Sequence, residues 1–213
     1  MAVMEEHKAG MSAQQVHELK QAPRVEGVLP VFHERWSPRA FDDREVPAET
    51  LKKVFEAARW AASSFNEQPW RFIVGRKGDK VYEKIFESLG ANNQKWAKTA
   101  PVLMLGAAKT KFSHNGTPNR VALYDLGAAA SYMTLEAAAL GLATHQMAGF
   151  DTDKAKKLFG IPEDYVMGAA IALGYQGEPE KLEDAGQREQ ETKPRSRKPL
   201  GEFVFGEWEK PAL

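Results

Sequence analysis

A chain of 213 residues, 43% hydrophobic and 27% charged, has ordinary globular usage and enough apolar side chains for one sizeable core, which excludes wholesale disorder. Its 29 basic and 29 acidic side chains cancel, so no net field favours general binding to nucleic acid or to an anionic membrane. The lack of cysteine removes disulfides, thiolate metal sites, iron–sulfur clusters and cysteine nucleophiles together.

Residues 1–28 are polar and weakly patterned, and are expected to form an arm with a short helix around Ala13–Lys20; residues 29–213 are expected to form one domain. The first thirty residues hold no continuous apolar run of the kind a secretory signal needs. A short helix is predicted over Val31–Arg35, ending near Ser37-Pro38 because proline disfavours helix in the residue before it. Pro47-Ala-Glu-Thr then opens a clear helix, with Glu49 facing the positive end of its dipole. In that helix Leu51, Val54, Phe55, Ala58 and Ala62 repeat at helical spacing and mark one buried stripe.

Trp70–Val74 reads as a strand, about 79–89 as a helix, Pro101–Ala108 as a fully apolar strand and Thr110–Pro118 as a polar loop. The longest helix is predicted over about 119–140, stopped by Gly141. Its apolar stretch is interrupted by Ser131, Thr134 and Glu136, so a buried helix explains it better than a membrane span. Thr144–Phe150 reads as extended, Asp151–Phe159 as a helix with an aspartate cap and Tyr165–Leu173 as a buried strand. Residues 176–199 read as a polar, proline-rich loop or arm, and Glu202-Phe-Val-Phe as a last strand. The irregular alternation of helices and strands points to an α+β layer rather than regular βαβ winding.

Several chemistries find no support. No nucleophile elbow, phosphate-binding P-loop, zinc-protease motif or calcium loop occurs, and the histidines at 7, 17, 33, 114 and 145 share no ligand spacing, so no metal site is expected. No G-x-G-x-x-G follows a strand; Gly174-Tyr-Gln-Gly177 reads as a turn.

Three segments remain. Arg35-Trp-Ser-Pro-Arg39-Ala-Phe carries two guanidinium groups and a hydroxyl within five residues, a set suited to phosphate oxygens. The plainer reading is a basic surface turn anchored by Trp36 and Phe41. Ala62-Ser-Ser-Phe-Asn-Glu-Gln-Pro-Trp70 offers Ser63, Ser64, Asn66 and Gln68, either as turn chemistry or as readers of a polar ligand edge. Lys193-Pro-Arg-Ser-Arg-Lys-Pro-Leu is either a solvated or nucleic-acid-binding run, or a strand-anchored pair, Arg195 and Arg197, that complements a phosphate.

Taken together and in this order, the three segments closely resemble the nitroreductase family of flavoproteins, from about Val31 to the C-terminus. RWSPRAF, AARWAASSFNEQPWRFIV and RSRKPL carry the likeness. Where the family has a proline before the Ser-Ser pair, Ala62 stands here. The resemblance implies a mainly antiparallel sheet flanked by helices, with a C-terminal segment extending onto the partner subunit of a homodimer. It implies FMN at the subunit interface, NADH or NADPH as reductant, and ping-pong transfer to a small electron-poor acceptor such as a nitroaromatic or quinone.

By the same resemblance, Arg35, Trp36 and Ser37 lie at the FMN phosphate and ribityl chain. Arg39 lies near the pyrimidine edge of the ring, where a cation favours the negative charge that reduction brings. Ser63, Ser64 and Asn66 reach the flavin from the other subunit, and Arg195 and Arg197 close on the phosphate. Gln146, Met147, Ala148 and Gly149 run along one ring face, with the N–H groups of Ala148 and Gly149 directed to it. Asn92 and Lys95 match more weakly, at positions that approach the O2 side of the ring; the plainer reading is a solvent-exposed helix. No catalytic side chain is assigned, because the cofactor carries the redox chemistry. The implied setting is the cytoplasm, without nucleic-acid or membrane partners. The alternatives are a flavoprotein of this fold with another reaction (dehalogenation, flavin fragmentation or dehydrogenation) and a non-catalytic flavin-binding module.

Overall fold

The computed structural model describes residues 10–213; of the arm expected over 1–28, residues 1–9 lie outside the described residues. Helix α1 (Ala13–Leu19) opens with a capping box in which Ser12 and Gln15 satisfy each other's backbone N–H groups at 3.2 and 2.8 Å. It is docked on the body: Val16 is fully buried, Ala13 N–H donates to Glu178 (2.7 Å), and Gln176 Nε2 donates to the Ala13 carbonyl (2.8 Å). Helix α2 (Pro30–Glu34) begins on its proline and gives way at Arg35 to extended backbone. Helix α3 (Ala48–Arg59) buries Leu51, Val54 and Ala58 of the predicted stripe and half-buries Phe55, but it ends before Ala62, which is exposed.

Strand β1 (Trp70–Arg76) is followed by α4 (Lys80–Ser88), capped by Asp79, and by α5 (Ala91–Ala97), a short helix that the sequence reading does not delimit. Then come β2 (Val102–Lys109), α6 (Ala122–Ala139), β3 (Ala143–Met147), α7 (Thr152–Phe159) with its predicted Asp151 cap, and β4 (Tyr165–Gly174). Helix α6 starts later than predicted. The Asn119 side chain accepts the Val121 N–H (3.2 Å), and this local bond competes with helix. It ends as expected, with Gly141 at φ +74°.

The four strands form one sheet in the order β1-β2-β4-β3, every neighbouring pair antiparallel. Helices α3 and α6 cover one face through Val102, Met104, Ile171 and Leu173. Helices α4, α5 and α7 cover the other through Leu103, Leu105, Ala170 and Ala172. The central strands β2 and β4 are buried on both faces, which is why they read as unbroken apolar runs.

Two readings need correction. The segment 176–199 is not all loop: it contains α8 (Ala185–Glu191), whose first turn is closed by Asp184 accepting the Gln187 N–H at 3.1 Å. The aspartate with glutamine three residues on is a start signal, masked by Gly186 and the polar surroundings. The last strand also lies further along. Pro199 leads into a single 3-10 turn at Leu200–Glu202. The extended part is β5 (Phe205–Glu207), paired with β6 (Lys210–Pro211) about Glu209 at φ +60°.

Candidate functional site

The end of α2 and the chain after α8 converge on one cluster of guanidinium groups. Arg35 Nη1 donates to Ser37 Oγ at 3.3 Å. Arg195, 160 residues away, donates to the backbone carbonyls of His33 and Arg35. Arg197, exposed, donates to the Ser196 carbonyl at 2.7 Å. Burial lowers the Arg35 pKa, with the Arg197 charge as a second cause. Burial, then Arg35 and Arg197, lower that of Arg195. Among the described residues none of the three makes a salt bridge, and the buried Nε of Arg195 has no hydrogen-bond partner. Like charges gathered without a carboxylate are a set of donors that could hold an anion.

Arg39 is held from a residue that the sequence did not single out. Its backbone N–H and that of Ala40 donate to the Glu191 carboxylate at the end of α8, at 2.9 and 3.2 Å from Arg39 and 3.0 Å from Ala40. Glu191 is 1% exposed. Burial pushes its carboxyl pKa up, against the pull of those two N–H donors and of the Arg39 and Lys20 charges. Trp36 is buried, its Nε1 donating to Gln176 Oε1 at 3.2 Å. The Pro38 carbonyl lies 2.9 Å from Nδ1 of His145, whose ring packs on Trp96 with centroids 4.5 Å apart.

The Ser63–Gln68 segment sits elsewhere. Ser64 N–H donates to buried Asp125 (3.1 Å) in the first turn of α6, Ser63 Oγ accepts the Gln68 N–H (3.0 Å), and Gln68 Nε2 donates to the Asn66 carbonyl and Oδ1 (3.1 and 3.2 Å). Phe65, Asn66 and Gln68 adopt positive φ, at 52°, 53° and 49°, a conformation that costs energy in non-glycine residues. Arg35, by contrast, lines a cavity of about 410 Å³ with Ala138 and Ala139, at the opposite end of α6. From Asp125 to Ala138 the helix rises about 20 Å. A single chain therefore does not bring Ser63, Ser64 and Asn66 to the guanidinium cluster.

At the end of β3, Met147 points into the core, so it can offer a ligand only its backbone. Gln146 Nε2 donates to Thr134 Oγ1 (3.3 Å), and its side chain borders an apolar cavity of about 180 Å³ under α6. Ala148 and Gly149 are exposed. The Gly149 carbonyl accepts from Gly90 N–H and Asn93 Nδ2, both at 2.9 Å. A Cβ there would stand 2.9 Å from Asn93 Nδ2, so any larger residue would displace the Asn93 side chain from this bond. Lys95 pairs with Asp184 (3.1 Å), and the Asn92 carbonyl accepts from Gln187 (3.2 Å), so both lie against the start of α8. Lys20, Asp125, His145 and Glu191 were missed because their importance comes from burial, which a polar residue in a polar segment does not advertise. Among the described residues no group of acids and histidines could hold a metal ion, and no helix is long and apolar enough to cross a membrane.

Comparison with known proteins bears on the family and the fold. The model of the nitroreductase family matches residues 33–94 and 76–175. Protein DrgA of a Synechocystis strain is 31% identical over 204 residues, covering 81% of this chain and 92% of its own length. A protein of Archaeoglobus fulgidus, provisionally named NADH dehydrogenase/NAD(P)H nitroreductase, is 29% identical over 168 residues, 77% of this chain and 94% of its own. A solved structure described as an oxidoreductase containing FMN superposes with a TM-score of 0.81 at 35% identity, covering 88% of this chain and 94% of that one. With the motif segments, the antiparallel sheet and the matched span in agreement, this chain belongs to the nitroreductase family.

Proposed function

We propose that this chain is an FMN-dependent oxidoreductase that takes electrons from NADH or NADPH and passes them, by a ping-pong mechanism, to a small electron-poor acceptor such as a nitroaromatic or a quinone. The observation that carries the reading is the cluster of Arg35, Arg195 and Arg197, which lacks a carboxylate partner and leaves the buried Arg195 Nε unsatisfied. A phosphate monoester bears about −1.5 to −2 charges at neutral pH and several acceptor oxygens, which is what these donors lack. Names of relatives support the same cofactor and reductant: one solved neighbour is an oxidoreductase containing FMN, and one relative's name pairs NADH dehydrogenase with NAD(P)H nitroreductase.

Bound FMN supplies two-electron transfer between nicotinamide and acceptor; the protein supplies binding, orientation and charge. Arg35, Ser37, Arg195 and Arg197 hold the phosphate end, with Trp36 fixing the loop between them. Arg39 presents a cation to the ring edge and favours the reduced charge. Gln146, Met147, Ala148 and Gly149 line the ring, Met147 through its backbone alone and Ala148 and Gly149 from an exposed turn. Ser63, Ser64 and Asn66 act from a second copy of the chain, a role supported by their distance along α6 from Arg35. The exposed Leu123, Tyr124 and Tyr132 on α6, with Trp60, suit burial against that copy. Phe203, Trp208 and Leu213 suit a C-terminal segment that reaches onto it. The protein so described works in the cytoplasm as a homodimer, with residues 29–213 as its one FMN-binding domain preceded by the 1–28 arm, and with neither nucleic acid nor membrane as partner.

The test is a visible spectrum of the purified protein before and after anaerobic NADH or NADPH. Flavin bands that bleach support the reading. Bands that persist with both reductants overturn the reductase assignment, and failure to take up FMN on reconstitution overturns the cofactor. Parallel double-reciprocal plots are expected for ping-pong transfer, and intersecting lines would replace it with a ternary complex. A flavin-retaining monomer in light scattering would remove the shared site.

A further inference from the structure

Two buried charges flank the Arg35–Phe41 loop without belonging to its ligand set. From α8, Glu191 at 1% exposure receives the N–H groups of Arg39 and Ala40 through both carboxylate oxygens. From the end of α1, Lys20 at 6% exposure donates to the Gln190 carbonyl (2.9 Å), where the partial negative charge of the α8 terminus gathers, and stands 4.8 Å over the Trp36 ring. Lys20 and Glu191 make no direct salt bridge; the ammonium acts on the carboxylate and on Arg39 through space. A buried ion is tolerated only where other charges and donors answer it, and here the answering groups belong to the RWSPRAF loop itself.

We propose that Glu191 is a positioning residue for Arg39 and that Lys20 and Glu191 together set the electric field at the flavin-binding loop, which makes helix α1 part of the cofactor site although it lies outside the family-matched residues 33–175. This rests on the FMN reading above. The Glu191 carboxylate fixes the backbone from which the Arg39 guanidinium projects. Its negative charge moderates that cation, and Lys20 moderates Glu191 in turn. The simpler alternative is a neutral staple that joins the N-terminal helix to α8.

The two differ in sign. Two-electron reduction adds negative charge to the bound ring, so removing a nearby anion favours reduced over oxidised FMN and removing a nearby cation does the reverse. The experiment measures oxidised-FMN affinity by fluorescence titration. The flavin midpoint potential is read by anaerobic titration against a reference dye, for wild type, Glu191→Gln, Lys20→Met and Glu191→Asp. Glu191→Gln is expected to raise the preference for reduced FMN about threefold to tenfold, and Lys20→Met to lower it by a similar factor. A tenfold change corresponds to about 30 mV for a two-electron couple. Glu191→Asp keeps the charge but shortens the reach, so it should weaken FMN binding with little change of potential. Potentials that stay put in Glu191→Gln and Lys20→Met, or that move in the same direction, overturn the proposal and leave a staple. If Glu191→Gln does not fold, a potential in Lys20→Met equal to wild type overturns it alone. A wild-type protein that takes up no FMN fails at the earlier step and defeats the functional reading instead.

Discussion

His145 offers a quantitative check on how the interior around the loop is built. Its Nδ1 lies 2.9 Å from the Pro38 carbonyl and its ring packs on Trp96, so the neutral imidazole carries its proton on Nδ1 and donates it. Burial lowers its pKa from 6.5 to about 4; the Pro38 hydrogen bond opposes the shift and the Arg39 charge adds to it. Between pH 6.5 and 4 the unfolded chain therefore binds a proton that the folded chain refuses. Stability is present above pH 6.5 and is lost as pH falls through that window. From these two values, acidification from pH 7 to pH 5 removes about 2 kcal/mol through this one ring. The assay is urea denaturation of the flavin-free protein at fixed concentration, at both pH values, for wild type and His145→Gln. All other titrating groups are common to the pair, so wild type should lose about 2 kcal/mol more than the variant. Equal losses in the two proteins would refute the reasoning.

Three further outcomes are expected. A Cβ at Gly177 would lie 2.6 Å from the Phe41 carbonyl group and 2.9 Å from the Asp42 nitrogen, so Gly177→Ala should cost about 1–3 kcal/mol in thermal denaturation. An unchanged Tm would mean that the loop yields freely. Asp125→Ala strips the Ser64 N–H of its partner, and a loss of about 1–3 kcal/mol should accompany faster hydrogen exchange over residues 63–68. Exchange that is unaltered there would deny Asp125 its anchoring role. Arg197→Gln removes one of three clustered guanidinium groups and should weaken FMN binding about tenfold while flattening its dependence on salt. An unchanged dissociation constant would take Arg197 out of the phosphate site.

What the sequence determined alone was local or chemical in kind. Leu51, Val54 and Ala58 announce α3, though Ala62 of the same predicted stripe falls beyond it, the apolar runs announce β2 and β4 as buried strands, and Asp151 and Gly141 mark helix ends, because period and capping act within a few residues. The arginines and hydroxyls of the motif segments likewise offered donors suited to phosphate through residue type alone. Tertiary structure alone decided the strand order β1-β2-β4-β3 and the meeting of Arg195 with the carbonyls of His33 and Arg35. It also set the separation of Ser63–Asn66 from that cluster along α6. It buried the Glu191 carboxyl against two backbone donors, in a segment that composition reads as loop, and turned His145 from an ordinary imidazole into one that resists protonation. Burial and charge pairing depend on neighbours more than a hundred residues away, and no window along the chain contains them.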